Sequence, residues 1–251
     1  MGHSSLLCSC SYGTVRFMSD REVQPRVVIL MPSYRAGKRV VDTYNRIPKD
    51  AVSEVIIVDD ASPDDTFEYA KTLPAKVFRN EKNKGYGGNM KFLLQKGLET
   101  DGDIFIELHA DGQYDPAVIP QAVAALRASD GMLLGSRVMT SKNALNNGMP
   151  FIKYIMNRIL TMIANMALGS NLTEFHSGFR VYTRPFLEKV DVMKNSNDHL
   201  FSFETIVQAL RNGFTVREIP VVCTYEPGVT QMNLKKGIKY TIEMLTALTR
   251  L

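Results

Sequence analysis

Short apolar runs alternate with helical stretches through the first half of the chain, and each run stops abruptly at polar residues. The runs are Arg26–Met31, Glu54–Val58, Lys76–Arg79, Asp103–Leu108 and Met132–Gly135. Helices are expected between them, over Gly37–Arg46, Asp64–Thr72, Gly87–Leu98 and Pro116–Ala128. Strands that alternate with helices in this way form right-handed βαβ units. The pattern therefore predicts an α/β fold, a mostly parallel sheet with helices on both faces.

The regular alternation of predicted strands and helices ends after Arg137. The expected elements are a loop over 137–150, a helix over Phe151–Leu168, an extended or looped segment over 173–183, a helix over Ser202–Asn212, a strand over Phe214–Pro220 and a terminal amphipathic helix over Lys236–Leu251. No repeat or linker interrupts this order. Residues 25–251 are therefore expected to form one domain, with a Rossmann-like nucleotide-binding half and an acceptor half. Residues 1–24, rich in Ser and Cys, are expected to be a leader, a tag remnant or a disordered tail.

The composition excludes several classes of protein. Hydrophobic residues make up 45% and charged residues 22% of the chain, which excludes disordered, collagen-like and coiled-coil proteins. Three cysteines cannot make a disulfide framework, and this favours a reducing, cytosolic compartment. The net charge of +4 is too small to indicate a nucleic-acid partner, but it suits anionic small substrates or an acidic membrane face. No uninterrupted apolar run is long enough for a transmembrane helix.

Polar residues gather where the predicted strands end, which is where open α/β sheets bind their ligands. The candidates for binding a nucleotide cofactor or donor are Pro32, Tyr34, Asp59, Asp60, Lys84, Gly85, Gly88 and Asp111. A carboxylate there can accept hydrogen bonds from a base or a ribose, and glycines let a backbone approach a ligand closely. The alternative is that the two aspartates only begin a turn and that the glycines only shape one.

A candidate metal site follows the fourth strand. His109, Asp111 and Gln113 lie at positions i, i+2 and i+4, on one face if the segment stays extended. Nitrogen and oxygen ligands beside a diphosphate suit Mg²⁺ or Mn²⁺. Arg137, after the fifth strand, suits a diphosphate clamp, although a surface ion pair is the alternative.

Five motifs in order carry a resemblance to family 2 glycosyltransferases. They are Pro32-Ser33-Tyr34, Val58-Asp59-Asp60-Ala61-Ser62-Pro63-Asp64, Asn83-Lys84-Gly85-Tyr86-Gly87-Gly88-Asn89, Ala110-Asp111-Gly112-Gln113 and Ser177-Gly178-Phe179-Arg180-Val181-Tyr182. The chain looks most like the dolichyl- or polyprenyl-phosphate mannosyl- and glucosyltransferases. The resemblance implies a GT-A fold, inverting transfer, a GDP- or UDP-linked sugar donor and a divalent metal. It also implies that Asp60 contacts the nucleoside, that Asp111 and Gln113 reach the metal, and that Arg137 grips the phosphates.

One departure from the family pattern lies in the metal motif. The family usually has Asp-x-Asp where this chain has His109-Ala110-Asp111. An imidazole can ligate Mn²⁺ but suits Mg²⁺ poorly. We therefore expect the ion to be held either with His109 or by Asp111, Gln113 and the donor diphosphate alone.

The second half is expected to bind the acceptor. The helix over Phe151–Leu168 is apolar except for one polar stripe, formed by Lys153, Asn157, Thr161 and Asn165. It is therefore expected either to be a core helix packed on two sides, or to lie at a membrane interface or form the wall of a polyprenyl groove. Asp111, Arg137, Arg180 and Glu204 are the catalytic candidates. A hydroxyl acceptor would need a general base, Glu204 or His176, whereas a phosphate acceptor is already ionised and needs none.

These observations predict an inverting hexosyltransferase that acts on a polyprenyl or dolichyl phosphate. It is expected to be peripheral to the cytoplasmic face of a membrane. Two alternatives stay open: transfer to a hydroxyl of a glycan or small molecule, and a nucleotide-sugar-binding module without catalytic activity.

Overall fold

A seven-stranded sheet forms the centre of the computed structural model, which describes residues 24–139, 141–225 and 234–249. The strands are β1 (Val27–Ser33), β2 (Glu54–Asp59), β3 (Lys76–Arg79), β4 (Ile104–Glu107), β5 (Asp130–Ser136), β6 (Arg180–Thr183) and β7 (Thr215–Pro220). Their order is β3-β2-β1-β4-β6-β5-β7, and β6 runs antiparallel to both of its neighbours. The other pairs are parallel, which confirms the predicted mostly parallel sheet.

Nine α-helices connect and cover the strands in the described residues. They are α1 (Arg39–Asn45), α2 (Thr66–Lys71), α3 (Gly85–Leu98), α4 (Ile119–Ala125), α5 (Ser141–Asn146), α6 (Phe151–Leu168), α7 (Arg184–Lys189), α8 (Leu200–Arg211) and α9 (Leu234–Thr249). The prediction of a loop over 137–150 was wrong at α5. The turn residues there only end this short helix, because Gly148 takes a positive φ of 90° and Pro150 precedes α6. Most of the expected leader, residues 1–23, lies outside the described residues.

The core consists of two apolar layers, one on each face of the sheet. Along β1, Val28 and Leu30 face the layer that contains α3, α6, α8 and α9, whereas Ile29 and Met31 face the layer that contains α1, α2 and α4. Successive side chains of a strand point to opposite faces, so a strand between two layers must be apolar throughout. This explains why the first-half strands are continuous apolar runs.

Candidate functional site

Two buried polar atoms at the carboxyl ends of β1 and β2 have no hydrogen-bond partner in the described part of the chain. Ser33 and Asp59 are register neighbours, and both are almost fully buried. Asp59 Oδ2 accepts from the Ser62 amide at 3.1 Å and pairs with Arg79 at 3.3 Å, but Asp59 Oδ1 and Ser33 Oγ have no partner among the described residues. An unsatisfied buried oxygen is costly, so this pair marks a place for a polar ligand or a water.

Asp60 organises the loop that follows β3. Its Oδ1 accepts from Asn80 Nδ2 at 2.8 Å and from the Lys84 amide at 2.9 Å, and its carbonyl accepts from Asn83. Because Oδ1 is occupied by these two bonds, Oδ2 is the oxygen of Asp60 that could make the predicted contact with a nucleoside. Pro32 is buried in β1, whereas Tyr34 lies on the surface with 39% of its side chain exposed.

The glycines of α3 face another part of the chain. A Cβ on Gly85 would lie 2.6 Å from the Asn197 carbonyl oxygen, and the Gly88 amide donates to that oxygen at 3.1 Å. Lys91 Nζ also donates to Asn195 O and Asn197 Oδ1. The assignment of Gly85, Gly88 and Lys84 to donor binding stays a prediction. What the structure places against these glycines is the 195–198 segment from the acceptor half.

The segment after β4 places His109, Asp111 and Gln113 at the same edge of the sheet. Asp111 Oδ1 accepts from the Gln113 amide at 3.0 Å, and Asp111 Oδ2 accepts nothing from the described residues. Gln113 is paired with Thr224 through both its carbonyl (2.9 Å) and its side-chain amide (3.4 Å). The carboxylate of Asp111 and the side-chain oxygen of Gln113 are thus available at this edge.

Sequence reasoning missed Glu107, which is fully buried at the end of β4. Its carboxylate accepts from Tyr86, from Tyr182 at 2.8 Å and from His109 Nε2 at 3.0 Å. Burial raises the pKa of Glu107, but the hydrogen bond and charge of His109, with Arg180, hold the pKa below its usual value. Burial alone would lower the pKa of His109. The hydrogen bond and charge of Glu107, together with the charge of Asp111, outweigh burial and raise this pKa above its ordinary value. The signal in the sequence was one acid inside the apolar run Ile104–Leu108.

Arg137 is engaged by the chain itself. Its guanidinium pairs with the buried Glu174 through two nitrogens, and it also donates to Tyr225 Oη and to the His176 carbonyl, each at 3.0 Å. Asn157 donates to the same carboxylate at 2.7 Å. Burial raises the pKa of Glu174, but Arg137 holds it below its usual value. Arg137 would have to break some of these hydrogen bonds to bind a diphosphate, so its predicted role as a diphosphate clamp stays a prediction.

Lys153 lies close to Arg137 and has no anionic partner among the described residues. Its Nζ lies 4.9 Å from the centre of the Tyr225 ring, and burial together with the Arg137 charge lowers its pKa. Tyr225 follows Thr224, which is paired with Gln113. Lys153 is thus connected through this short segment to the Asp111 edge. The other residues of the predicted stripe make hydrogen bonds within the chain: Asn157 donates to Glu174, Thr161 to Asn157, and Asn165 to the Leu172 carbonyl.

Two other predicted residues serve the scaffold. Arg180 is fully buried and donates to the carbonyls of Ser177, Ser202 and Phe175 at 2.7–3.0 Å. Glu204 accepts from the Ser196 amide at 2.6 Å and so holds the segment that covers α3. The catalytic roles expected for Arg180 and Glu204 stay predictions.

Helices α6 and α9 turn apolar side chains outward. The exposed members, here called the apolar face, are Phe151, Ile152, Ile155, Met156, Ile159, Met162 and Met166 on α6 and Ile238, Ile242 and Leu245 on α9. Only the opposite side of α6 is buried, so the alternative of a helix packed in the core on both sides is wrong. None of the described helices is long and apolar enough to cross a membrane.

Known proteins resemble this chain over most of its length. The family model "Glycosyl transferase family 2" matches residues 28–191. The chain is 29% identical over 204 residues to an undecaprenyl-phosphate mannosyltransferase of Micrococcus luteus, covering 78% of this chain and 82% of that protein. It is 25% identical over 234 residues to a UDP-N-acetylglucosamine–dolichyl-phosphate N-acetylglucosaminyltransferase of Methanococcus voltae, covering 86% and 91%.

A solved structure supports the fold. It is glucosyl-3-phosphoglycerate synthase from Mycobacterium tuberculosis in complex with Mn²⁺, uridine diphosphate and glucosyl-3-phosphoglycerate. The TM-score is 0.66 at 15% identity, and the match covers 89% of this chain and 80% of that one. This likeness confirms the expected GT-A fold.

Proposed function

The chain belongs to glycosyl transferase family 2, and we propose that it moves a hexose from a nucleotide-diphosphate sugar to a polyprenyl phosphate at a membrane surface. One observation carries the acceptor assignment. Lys153, a half-buried cation without an anionic partner in the described residues, lies on α6, the helix that supplies most of the apolar face. A phosphate head joined to a long apolar tail has the chemistry that this arrangement favours.

The donor is proposed to bind across the carboxyl ends of β1, β2 and β4. The unpaired Asp59 Oδ1 and Ser33 Oγ suit hydrogen-bond donors such as the N–H and O–H groups of a nucleoside. Asp60 Oδ2 adds a third acceptor at this edge. The relatives named above transfer different sugars, one a mannosyl and one an N-acetylglucosaminyl group, and the proposed donor is a GDP- or UDP-linked sugar.

A divalent ion, Mn²⁺ or Mg²⁺, fits the donor set at Asp111. The described residues hold no cluster of three His, Cys, Asp or Glu side chains suited to a metal. Asp111 Oδ2, which has no partner among the described residues, and the Gln113 side-chain oxygen are hard ligands that suit an ion whose other ligands include diphosphate oxygens. When bound, such an ion supplies positive charge to the leaving diphosphate.

The reaction needs little proton transfer from the protein. An acceptor phosphate oxygen attacks the anomeric carbon from the face opposite the leaving diphosphate, so the configuration inverts. That oxygen is already ionised, so the chain has to position and neutralise charge rather than remove a proton. Glu204 and His176, the candidate bases for a hydroxyl acceptor, are tied to Ser196 and to Tyr240 respectively, which favours the phosphate acceptor.

A transfer assay tests the proposal. Purified protein with Mn²⁺ is given a GDP- or UDP-linked radiolabelled hexose together with undecaprenyl or dolichyl phosphate. Label extracted into organic solvent is the expected result. Label found only on a water-soluble hydroxyl acceptor would support the first alternative, and donor binding without transfer to any acceptor would support a binding module.

Liposome flotation tests the membrane part of the proposal. We propose that the apolar face rests on the cytoplasmic leaflet, with the protein peripheral to the membrane. Wild-type protein is expected to float with anionic liposomes, and Ile152→Asp with Ile242→Asp is expected to abolish flotation. Both side chains are at least 60% exposed, so the variant should unfold at the wild-type temperature. A wild type that ignores liposomes would contradict this part alone.

A further inference from the structure

The carboxylate of Glu107 connects four elements of the fold. It lies on β4 with no exposed surface, and it accepts hydrogen bonds from Tyr86 on α3, from Tyr182 on β6 and from His109 just beyond β4. Tyr86 also exchanges a hydrogen bond of 2.8 Å with Ser202 on α8. A buried carboxylate held by this many donors has one orientation, because each bond would be lost if it turned.

The His109 ring is held on two sides. Its Nε2 lies 3.0 Å from Glu107 Oε1, and a Cβ on Gly178 would lie 3.1 Å from the same nitrogen. One ring face stacks on Tyr86, with 5.7 Å between centres and 25° between planes. A quarter of the side chain (26%) stays exposed, and Nδ1 has no hydrogen-bond partner among the described residues.

We propose that Glu107 is a positioning residue that keeps the hydrogen of His109 on Nε2 and so leaves Nδ1 as a nitrogen ligand for the divalent ion at Asp111. The inference rests on the proposed function, since the ion accompanies the donor. A carboxylate that accepts from one nitrogen of a histidine fixes which nitrogen can bind a metal and how the ring is turned. The acid inside the β4 run and the histidine in place of the family's first aspartate are then two parts of one device.

This arrangement makes a nitrogen ligand part of the metal set. An imidazole ligand moves affinity toward Mn²⁺ relative to Mg²⁺, compared with a set made only of oxygens. Glu107 contributes without contacting the ion. Its loss should therefore weaken the ion's binding through His109, not through Asp111 or Gln113.

Electron paramagnetic resonance of Mn²⁺ bound with UDP or GDP tests the inference directly. Samples carry isotopically labelled histidine, so that a coupling between Mn²⁺ and a histidine nitrogen is recognised by its change on labelling. Wild type is expected to show this coupling and His109→Ala to lack it. Glu107→Gln is expected to lose or weaken the coupling and to bind Mn²⁺ about 10-fold more weakly in the presence of the nucleotide.

Tyr182→Phe is the matched control, because it removes another hydrogen bond to Glu107 and leaves the His109 contact in place. It is expected to keep the wild-type spectrum and affinity. If Glu107→Gln does not fold, Glu107→Asp gives the same readout with the charge kept.

Three outcomes would overturn the inference: a wild-type spectrum without histidine coupling, a Glu107→Gln variant with wild-type spectrum and affinity, or equal effects of Glu107→Gln and Tyr182→Phe. Failure of the proposed function looks different. In that case neither nucleotide binds with Mn²⁺, or label never reaches the lipid phosphate, whereas binding and transfer without histidine coupling would reject only the role of Glu107.

Discussion

No side chain fits between Gly87 and Asp198: a Cβ built on Gly87 would lie 2.8 Å from the Asp198 carbonyl oxygen. The start of α3, in the nucleotide-binding half, therefore packs closely against the 195–198 segment of the acceptor half. Asp198 in turn pairs with Lys239 of α9 at 2.8 Å. The close contact between the two halves depends on glycine at this position.

We expect Gly87→Ala to destabilise the protein by about 1–3 kcal/mol, because the added methyl meets main-chain atoms that cannot move independently. Urea unfolding followed by circular dichroism measures the change. Gly237→Ala is the control. A Cβ there has no neighbour within 4 Å among the described residues, and alanine in the interior of α9 should stabilise by about 0.5–1 kcal/mol. Equal effects of the two substitutions would show that close packing at Gly87 does not contribute to stability.

The strand-and-helix order of the first half, up to β5, was predictable because it depends on periodicity along the chain, which local sequence carries. The role of the α3 glycines was not, because Asn197 lies more than a hundred residues away from them in the sequence. Arg137 illustrates the same limit. Its place after a strand suggested a phosphate clamp, and only the fold shows that Glu174 and Tyr225 occupy its guanidinium. Positions at the sheet edge were predictable; partners between distant segments were not.

The buried pair of Arg137 and Glu174 should be necessary for folding stability. Glu174→Gln leaves a buried guanidinium without its counter-charge, and we expect a loss of about 3–5 kcal/mol. Replacing both residues by Met should recover part of this loss, because it removes both buried charges. Urea unfolding of the two variants measures the difference. A double variant less stable than Glu174→Gln would contradict the account.

Lys153→Ala should raise the KM for polyprenyl phosphate and leave the KM for the sugar donor unchanged. The reason is that Lys153 is the half-buried cation proposed to meet the acceptor phosphate. Lys153→Arg should restore most of the affinity. Arg158→Ala is the control on the same helix, since Arg158 bonds the Thr173 carbonyl at 2.7 Å. If both alanine variants raise the KM equally, general surface charge explains the effect.

Asp111→Asn should abolish transfer while leaving the unfolding temperature within a few degrees of wild type. The amide keeps an oxygen that can accept from Gln113, but it removes the negative charge that the divalent ion needs. Activity with Mn²⁺ and the midpoint of thermal unfolding are measured on the same samples. A folded variant with normal turnover would reject Asp111 as a metal ligand.

His176 should make stability depend on pH between about 4 and 6.5. Burial lowers the pKa of His176 to about 4, helped by the Arg137 and Arg180 charges and opposed by Glu174. Tyr240 Oη is paired with Nδ1 at 2.9 Å, and Nε2 is buried with no partner in the described residues. The native state therefore favours the neutral ring.

The sign follows from proton binding. In the unfolded chain the histidine pKa is about 6.5, so as the pH falls below that value the unfolded state takes up a proton that the native state refuses. Stability from this group is complete above pH 6.5 and decreases by about 1.4 kcal/mol for each pH unit below it, up to about 3 kcal/mol in total.

Urea unfolding of wild type and His176→Gln at a series of pH values isolates the contribution. The two curves should run parallel above pH 7, and wild type should lose about 2 kcal/mol more than the variant between pH 6.5 and 5. Parallel curves over the whole range would show that the native state accepts the proton at His176, and a steeper fall in the variant would reverse the sign argued from burial.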